Sequence, residues 1–422
     1  MSKFSFIHTS DLHLDSPFKG ISRMNDELGE LCKNSTFNAF KNIINIAIKR
    51  EVDFVLFAGD IFDSSIRSLA AQSSFFKGLE DLNLNDIRSY IVHGNHDPTN
   101  EWLSSFKYPS LATVISCDDI ESIPVTDKND IQIATIRALS FRNKECNINM
   151  VNNFPQKDDH YFNIGLLHCS VGDDEEHSTY APCSMNDIRL LNYDYWALGH
   201  IHKPKILQQE YPCVVYCGTP QGRSSKECGE HGCYYVEVDN NTISNFEFTT
   251  TDVIRWLDFK VDITNIESFN EMLDLIDQQL NALRSDNYNL EAILLGLSID
   301  GKSDLHKELV AKRDEIIDLI NDYCETEASF PKIYIQKLNL LTKSITSIED
   351  LKKNDDFISY LLNKIDEART NDDLFNQIKA ELNPLIQNSS LKNFFDESLT
   401  NPDEIRKLLN EVEERCIDLF SE

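Results

Sequence analysis

The sequence lacks the features that would assign it to a membrane or secreted class. No apolar run is long enough to cross a bilayer, and polar residues interrupt the opening segment MSKFSFIHTSDLH too early for a signal peptide. The 11 cysteines are an odd number and form no Cys-x-x-Cys pair. Both observations disfavour a disulfide framework, so we expect a cytoplasmic protein with reduced thiols and no membrane association.

Positive charge is also scarce. The 422 residues include 40 lysines and arginines against 70 aspartates and glutamates, which gives a formal net charge of −30. An acidic chain without a basic tail does not coat nucleic acid by simple attraction. Action on DNA would therefore require a local site, bound metal ions or a partner that supplies positive surface.

Isolated histidines and cysteines carry less information. Cys228 and Cys233 flank a turn that contains His231, but a zinc site there would need a fourth ligand that the sequence does not supply. We therefore expect the two cysteines to pack in the interior. His8 and His93 lie inside apolar runs and are expected to be core residues.

Short apolar runs alternate with helix-like segments from residue 1 to about 250. The runs predict strands at 4–8, 52–58, 89–93, 131–136, 162–168, 195–200 and 213–218. Alternation of this kind predicts an α/β architecture whose strands are buried on both faces. Open sheets of this class place ligands where the strands end.

The pattern changes after Thr250. Residues 251–345 read as a separate β-α-β-α-β domain, and residues 346–422 read as helices only. The last helix is predicted to start at Asn401-Pro402 and to carry an apolar stripe. The stripe comprises Ile405, Leu408, Leu409, Val412, Cys416 and Leu419. It either packs on its own domain or docks against another chain.

Five polar clusters each follow a predicted strand. They are Asp11 with His13, Asp60 with Asp63, Asn95 to Asp97, His168, and His200 with His202. Carboxylate and imidazole ligands suit manganese, iron or zinc. Seven ligands are too many for one ion that must also hold water and substrate, whereas two ions that share a bridging carboxylate use that number. The set predicts a two-metal site.

These clusters resemble the signature of calcineurin-like metallophosphoesterases. The matching motifs are Asp11-Leu12-His13, Gly59-Asp60-Ile61-Phe62-Asp63, Gly94-Asn95-His96-Asp97, His168 and Gly199-His200-Ile201-His202. The segments FIHTSDLHLDSPFKG, CGTPQGRSSKECGEHGCYYVEV and ILLGLSIDGKSDLHKEL further resemble SbcD/YhaO-type DNA-repair exonucleases, bacterial relatives of the meiotic-recombination nuclease. The resemblance covers about residues 1–340 and departs from the family at Ser224, where a histidine is common.

The resemblance implies a fold and a ligand set. The fold is a β-sandwich flanked by helices, with a small α+β capping domain and a helical C-terminal region. The implied cofactor is a pair of divalent ions, with Mn²⁺ expected. One ion is assigned to Asp11, His13 and His202 and the other to Asn95, His168 and His200, with Asp60 bridging them.

The resemblance also implies roles beside the metals. His96 would meet the phosphate or the leaving oxygen, and Asp97 would orient the His96 ring. Asp63 would support its own loop or act just outside the ligands. Basic side chains that would touch phosphates or face solvent are Arg137, Arg142, Lys144, Lys203, Arg223 and Lys226.

The function implied is a metal-dependent DNA nuclease, an exonuclease whose endonuclease activity is left open. By analogy we expect a homodimer and an SbcC/YhaN-like coiled-coil ATPase partner that docks on the C-terminal helices. Two alternatives stay open at this point. One is a phosphoesterase acting on phosphoproteins or small phosphodiesters, and the other is a non-enzymatic scaffold with the same fold.

Overall fold

A computed structural model describes most of the chain. The described residues are 3–21, 25–63, 68–101, 106–172, 179–324, 330–345, 348–353, 357–387 and 402–420. The chain divides into two compact units, each made of more than one stretch. The first comprises Met1–Asp258, Leu283–Gly296 and Glu327–Lys337, and the second comprises Phe259–Ala282, Leu297–Thr326 and Leu338–Glu422. The predicted domain boundaries at 250 and 345 stay predictions.

Twelve named strands and three helices form most of the first unit. The strands are β1 (Lys3–Thr9), β2 (Phe54–Ala58), β3 (Arg88–Val92), β4 (Ala112–Val114), β5 (Glu121–Thr126), β6 (Gln132–Ala138), β7 (Phe162–His168), β8 (Tyr195–Gly199), β9 (Lys205–Gln208), β10 (Cys213–Tyr216), β11 (Gly232–Asp239) and β12 (Thr242–Thr250). The helices are α1 (Asp26–Lys49), α2 (Leu69–Leu84) and α3 (Met185–Leu190). Two 3₁₀ turns lie at Thr99–Glu101 and Val151–Asn153.

The strands form two six-stranded mixed sheets. The first has the order β12-β11-β1-β2-β3-β4 and the second has the order β5-β6-β7-β8-β10-β9. Strands β1 to β4 are parallel, as are β6, β7, β8 and β10, while β5, β9, β11 and β12 pair antiparallel with their neighbours. Inward-facing side chains of both sheets share one apolar core, in which the Phe6 and Phe54 rings stack 5.0 Å apart.

Helices cover the outer faces of the sandwich. The Asn25 side chain caps α1 by accepting a hydrogen bond from the Leu28 N–H at 2.8 Å, and Ser68 caps α2 in the same way. Phe40 of α1 packs over the first sheet, and Gly78 of α2 lets the two helices approach, because a Cβ there would collide with the Phe40 ring. Helix α3 packs on the second sheet through Ile188.

A third sheet follows, built from β13 (Ile254–Asp262), β14 (Ala292–Lys302) and β15 (Lys332–Lys343) in that order. Helix α4 (Phe269–Asp286) comes between the first two strands, and α5 (His306–Ala311) and α6 (Arg313–Cys324) between the last two. The Ser268 hydroxyl caps α4 by accepting from the Glu271 N–H at 3.3 Å. The predicted β-α-β-α-β order is present, with its second helix divided at Lys312.

The C-terminal region contains α7 (Ile348–Leu351), α8 (Phe357–Thr370), α9 (Asp372–Gln387) and α10 (Pro402–Phe420). Ile405 and Leu409 of α10 are buried against Ile365 of α8 and Phe375 of α9. Of the two alternatives for this stripe, docking against another chain is therefore corrected for Ile405 and Leu409, because helices of the same region already cover their apolar surface. Val412 remains 38% exposed.

The side chains of Cys416 and Leu419, and the predicted cap at Asn401, lie outside the described residues. The predicted fold class is confirmed, since two mixed sheets flanked by helices are followed by a helical region. In the described ranges, no helix has the length and apolar character needed to span a membrane.

Candidate metal centre

The polar clusters all lie at the carboxyl ends of parallel strands. Asp11 and His13 follow β1, Asp60 follows β2, Asn95 and His96 follow β3, His168 ends β7, and His200 and His202 follow β8. The turns after β1 and β2 run side by side, because the Asp11 N–H donates to the Gly59 carbonyl at 2.9 Å and the His13 N–H donates to the Asp60 carbonyl at 3.1 Å. Main-chain pairing therefore continues beyond the strands and fixes where these side chains start.

Several site residues adopt left-handed backbone conformations. Asp11, His13 and Asp60 have φ of 51°, 42° and 51°, and His200 has φ of 103°. Such angles are uncommon for residues with a side chain and concentrate at functional sites. Gly199 is needed for a related reason, since a Cβ there would collide with the Ala58 carbonyl. The backbone conformation of these turns therefore sets the direction in which the site side chains point.

One group of donors consists of Asp11, His13 and His202. Their ligand atoms lie within 4.8 Å of one another, and the Nε2 atoms of the two imidazoles face each other at 3.2 Å. Asp11 is fully buried and accepts the His200 N–H at 3.1 Å. Burial raises the pKa of Asp11 and lowers the pKa of His13. Both shifts have the same cause, which is that this pocket excludes the water that would stabilise charge.

A second group consists of Asp60, Asn95, His168 and His200. His168 Nε2 lies 3.0 Å from Asn95 Oδ1 and 3.3 Å from Asp60 Oδ2, and His200 Nδ1 lies 3.2 Å from the same Asn95 oxygen. Asp60 Oδ2 also lies 3.8 Å from His13 Nε2 in the first group. Asp60 therefore faces both groups, as expected for a bridging ligand, and a ligand atom of Asp11 also lies within 4.8 Å of those of Asp60 and His168.

The donor set fits a divalent cation. His168 Nδ1 donates to the Ala58 carbonyl at 2.9 Å, so the neutral ring has its lone pair on Nε2, directed at the oxygens of Asn95 and Asp60. Acceptors that face each other require a cation between them or a protonated ring. Burial lowers the pKa of His168, but the charge and hydrogen bond of Asp60, together with the Asp11 charge and the Ala58 carbonyl, raise it to about 9. The pocket therefore demands positive charge, which a metal ion can supply.

His96 lies at the margin of this cluster and is 39% exposed. Its Nδ1 is 3.1 Å from Asp63 Oδ1, and Ser16 donates to the other Asp63 oxygen at 3.3 Å. The hydrogen bond to Asp63 raises the pKa of His96, and the same bond lowers the pKa of Asp63 to about 2. The main-chain N–H of His96 also donates to Asp60 Oδ1 at 2.8 Å, which connects the turn after β3 to the cluster.

The structure gives the orienting role to Asp63 rather than to Asp97, which corrects the sequence expectation. Asp97 is fully buried and accepts the main-chain N–H groups of Ile61 and Gly94, both at 2.8 Å. Its two oxygens are therefore used to join the turns after β2 and β3. Asp97 shapes the loops that carry Asp60 and Asn95 and does not contact the His96 ring.

The three arginines proposed for phosphate contact have different environments. Arg137 is buried, bonds Asn163 and lies over the Tyr193 ring at 5.1 Å, so it serves the packing behind the second sheet. Arg142 is exposed and paired with Asp118. The expectation for Arg137 is corrected, because its guanidinium is buried away from solvent, whereas phosphate contact by Arg142 stays a prediction. Arg223 does act on the site, because after burial it is the next largest cause of the lowered pKa of His13.

The sequence reasoning missed Glu227. Its Oε1 lies 2.7 Å from His202 Nδ1, and its Oε2 accepts the Arg223 N–H at 2.6 Å. Burial raises the pKa of Glu227, but the His202 hydrogen bond and the Arg223 charge lower it to about 2. Glu227 belongs to the segment used for the resemblance, yet a separation of 25 residues from His202 has no periodicity that would pair them.

Tyr180 was also missed, although it packs against two of the proposed ligands. Its ring centroid lies 5.8 Å from that of His200 and 5.9 Å from that of His168. The hydroxyl donates to the Asn143 carbonyl at 2.9 Å. Tyr180 limits the rotation of both imidazoles, and no sequence motif marks it.

Most other predicted interior residues lie where expected. Both ring nitrogens of His8 are engaged, at 3.0 Å from the Tyr195 hydroxyl and 3.2 Å from the Leu198 carbonyl. Cys233 is fully buried in the core under α1 and α2, whereas Cys228 is only partly buried, beside Trp256. These side chains are used for packing.

The site therefore defines a metal-dependent phosphoesterase on a β-sandwich, and comparison with known proteins agrees. A family model described as calcineurin-like phosphoesterase matches residues 4–204, and one described as metallophosphoesterase YhaO, middle domain, matches residues 256–343. The chain belongs to the calcineurin-like metallophosphoesterase family and carries the YhaO-type middle domain. The recognition made from the motifs is confirmed, and the family indicates a hydrolase that uses divalent metal.

Individual relatives share between 22% and 34% sequence identity with this chain. The uncharacterized metallophosphoesterase YhaO of Bacillus subtilis is 34% identical over 67% of this chain and 69% of its own length. The DNA double-strand break repair protein Mre11 of Methanocaldococcus jannaschii is 23% identical over 65% of this chain and 74% of its own length. The SbcD component of the nuclease SbcCD from Staphylococcus epidermidis is 22% identical over 67% of this chain and 76% of its own length.

Proposed function

We propose that this protein is a DNA nuclease that uses two divalent metal ions, with Mn²⁺ preferred. The observation that carries the proposal is the convergence of Asp60 with two groups of mostly buried donors beside a partly exposed histidine, His96. DNA as the substrate is supported by relatives that are described as a DNA repair protein and as a nuclease. The net charge of −30 does not oppose this, because bound cations supply positive charge where a polyanion must approach.

The protein's own residues have separate tasks in this proposal. Asp11, His13 and His202 would hold one ion, and Asn95, His168 and His200 the other, with Asp60 bridging. Two ions at such a site neutralise the phosphodiester and lower the pKa of water. The buried donors keep bulk water out, since Asp11, Asp60 and His168 are at most 1% exposed. A dry pocket strengthens every charge interaction within it.

His96 is proposed to act on the leaving group. Its Nδ1 is engaged by Asp63, which leaves Nε2 to meet substrate. Asp63 raises the pKa of His96 and so favours the protonated ring, which can give a proton to a departing oxygen. The charge of Arg223 helps to lower the pKa of both His13 and Asp63, so it lies near His96. We propose that Arg223 contacts the phosphate.

The test is hydrolysis by the purified chain after metal removal and reloading with Mn²⁺. Labelled single-stranded and double-stranded DNA, bis(p-nitrophenyl) phosphate and a phosphoserine peptide are incubated in parallel. The proposal expects shortened DNA. Hydrolysis of the ester or the peptide without cleavage of either DNA would favour the small-substrate alternative. Metal binding without hydrolysis of any of the four would favour the scaffold.

Replacing Mn²⁺ by Mg²⁺ at equal concentration tests the choice of metal. Four of the seven proposed ligands are imidazoles, His13, His168, His200 and His202, whereas Mg²⁺ prefers oxygen ligands and retains its waters. We expect much slower cleavage with Mg²⁺. Equal rates would contradict the proposed ligand set.

We also propose a coiled-coil ATPase as the partner, engaged by the C-terminal helices. Such a partner would supply the DNA grip that an acidic chain lacks. Phe357 and Tyr360 of α8 are 67% and 63% exposed, which supports this region over the covered part of α10. A pull-down with the coiled-coil ATPase encoded nearest this gene is the test. The full chain is expected to bind, and a Phe357→Ser/Tyr360→Ser variant to bind less. Absence of binding by the full chain would contradict the partner.

A further inference from the structure

Glu227 differs from the other polar residues around the cluster because it is a carboxylate held behind a proposed ligand. Its Oε1 is 2.7 Å from His202 Nδ1. Four other contacts fix Glu227 in place, one of which is an ion pair between its Oε1 and the Arg223 guanidinium at 3.7 Å. Its Oε2 accepts a hydrogen bond from the main-chain N–H of Arg223 at 2.6 Å. Its own main-chain N–H donates to the Ser224 carbonyl at 2.9 Å, and its main-chain carbonyl lies 3.0 Å from Nε2 of His231.

The hydrogen bond decides which nitrogen of His202 faces the cluster. A carboxylate only accepts, so Nδ1 carries the proton and the lone pair of the neutral ring lies on Nε2. Nε2 is the atom that lies 3.2 Å from His13 Nε2, in the group formed with Asp11. A negatively charged acceptor also makes the ring a stronger donor to a metal than a neutral acceptor does.

The second group is supported differently. His168 Nδ1 donates to the Ala58 carbonyl, which is neutral and belongs to the main chain of β2. A carboxylate therefore supports His202 in one group, and a peptide carbonyl supports His168 in the other. The two halves of the site are not equivalent in charge.

We propose that Glu227 is a positioning residue that selectively strengthens binding of the ion held by Asp11, His13 and His202. This inference rests on the proposed two-ion site and adds that the two ions bind with unequal affinities, set in part by Glu227. Removing the charge while keeping the shape should weaken one ion and leave the other. Loss of such an outer partner lowers metal affinity about 10–100-fold in other metal sites.

The experiment is calorimetric titration of the metal-free full chain with Mn²⁺ alone. Glu227→Gln is compared with the wild type and with Glu247→Gln, a matched control in which a carboxylate on β12 loses its charge opposite Arg50. We expect Glu227→Gln to weaken one of two binding events about 10–100-fold. The control should match the wild type in both.

Three results would overturn the proposal. They are unchanged affinities in Glu227→Gln, equal weakening of both events, and a single binding event in the wild type that the variant leaves unchanged. Thermal melting of the metal-free proteins distinguishes damage to the loop from loss of ligand orientation. If only the orientation of His202 is lost, Glu227→Gln and Glu247→Gln should melt at the same temperature. If Glu227→Gln does not fold, the titration of Glu227→Met, which also lacks the charge, decides by the same criteria.

The readout is independent of the proposed reaction because the titration contains no DNA. A chain that binds two Mn²⁺ with the expected asymmetry but cuts no DNA would contradict the proposed function and leave the role of Glu227 standing. A chain that cuts DNA and shows no asymmetry would do the reverse.

Discussion

The two sheets of the sandwich supply the site with different chemistry. Turns after the first sheet contribute the two carboxylates of the proposed ligand set, Asp11 and Asp60, whereas the second sheet contributes imidazoles only, His168, His200 and His202. Neither sheet holds a complete donor set. The site therefore exists only when the shared core between the sheets has formed, which couples metal binding to folding.

The comparison also shows how each sheet keeps its donors in place. On the first sheet, main-chain bonds between neighbouring turns and the buried Asp97 fix the loops. On the second sheet, the rings themselves are held, His168 by a carbonyl and His202 by Glu227. The carboxylate side of the site is fixed through its backbone and through main-chain N–H groups that bond Asp11 and Asp60, and the imidazole side is fixed through contacts to the rings.

The largest expected effect comes from Asp60→Asn, which removes the contact between the two sides. Asp60 lies 3.3 Å from His168 and 3.8 Å from His13, so its charge serves both groups. We expect loss of both ions and hydrolysis at background level. Metal content by mass spectrometry checks this, and a variant that retains one ion and cleaves DNA would show that Asp60 does not bridge.

His96→Asn is expected to separate metal binding from catalysis. His96 belongs to neither donor group of the proposed ligand set, and a general acid typically contributes about 10²–10⁴-fold to the rate. We expect both ions to remain and kcat to fall by about that factor. Metal loss comparable to Asp60→Asn would make His96 a ligand instead.

Asp63→Asn should have a smaller effect in the same direction. Asp63 acts through the His96 ring, so the variant should keep both ions and lose about 10–100-fold in kcat, the range seen for orienting partners elsewhere. Its effect should vanish in the His96→Asn background, because the two residues act as one unit. Additive losses in the double variant would mean that Asp63 has another role.

The sequence predicted the parts of the site that lie directly after strands. Residues such as Asp11 and His168 follow an apolar run, and the resemblance gave them roles. The resemblance assigned Asp97, the neighbour of His96 in sequence, as the partner of the His96 ring. In the structure that partner is Asp63, which follows β2. Glu227 was missed for the same reason, since contacts between distant loops leave no local pattern.

Most of the strands that the sequence did not predict are weakly buried. The predicted strand at 162–168 matches β7, whose residues are all buried. Strands β4, β5, β9 and β12 were not predicted, and they have mostly half-buried or exposed residues and lie at sheet edges. Strand β11 was also not predicted, although it is buried along most of its length. An edge strand is defined by its partner rather than by its own apolar pattern.

The smallest expected effect concerns stability and involves His8, inside the first sheet. Burial lowers the pKa of His8 to about 3, from an ordinary value of 6.5. Between these values the unfolded chain binds a proton that the folded chain does not, so the free energy of unfolding falls as the pH falls. The slope from this group approaches about 1.4 kcal/mol per pH unit.

His8→Gln removes this titration while keeping an amide that can bond Tyr195 and Leu198. Denaturant unfolding of the metal-free proteins between pH 7 and pH 5 should show a shallower loss of stability in the variant. Parallel curves for the two proteins would mean that His8 does not contribute to the acid sensitivity of the fold.

The central claim is that donors from both sheets hold two ions bridged by Asp60. Anomalous diffraction at the manganese edge, from crystals grown with Mn²⁺, tests it most directly. The account predicts two peaks, one contacted by Asp11, His13 and His202 and the other by Asn95, His168 and His200, with Asp60 touching both. A single peak, or two peaks without Asp60 between them, would contradict it.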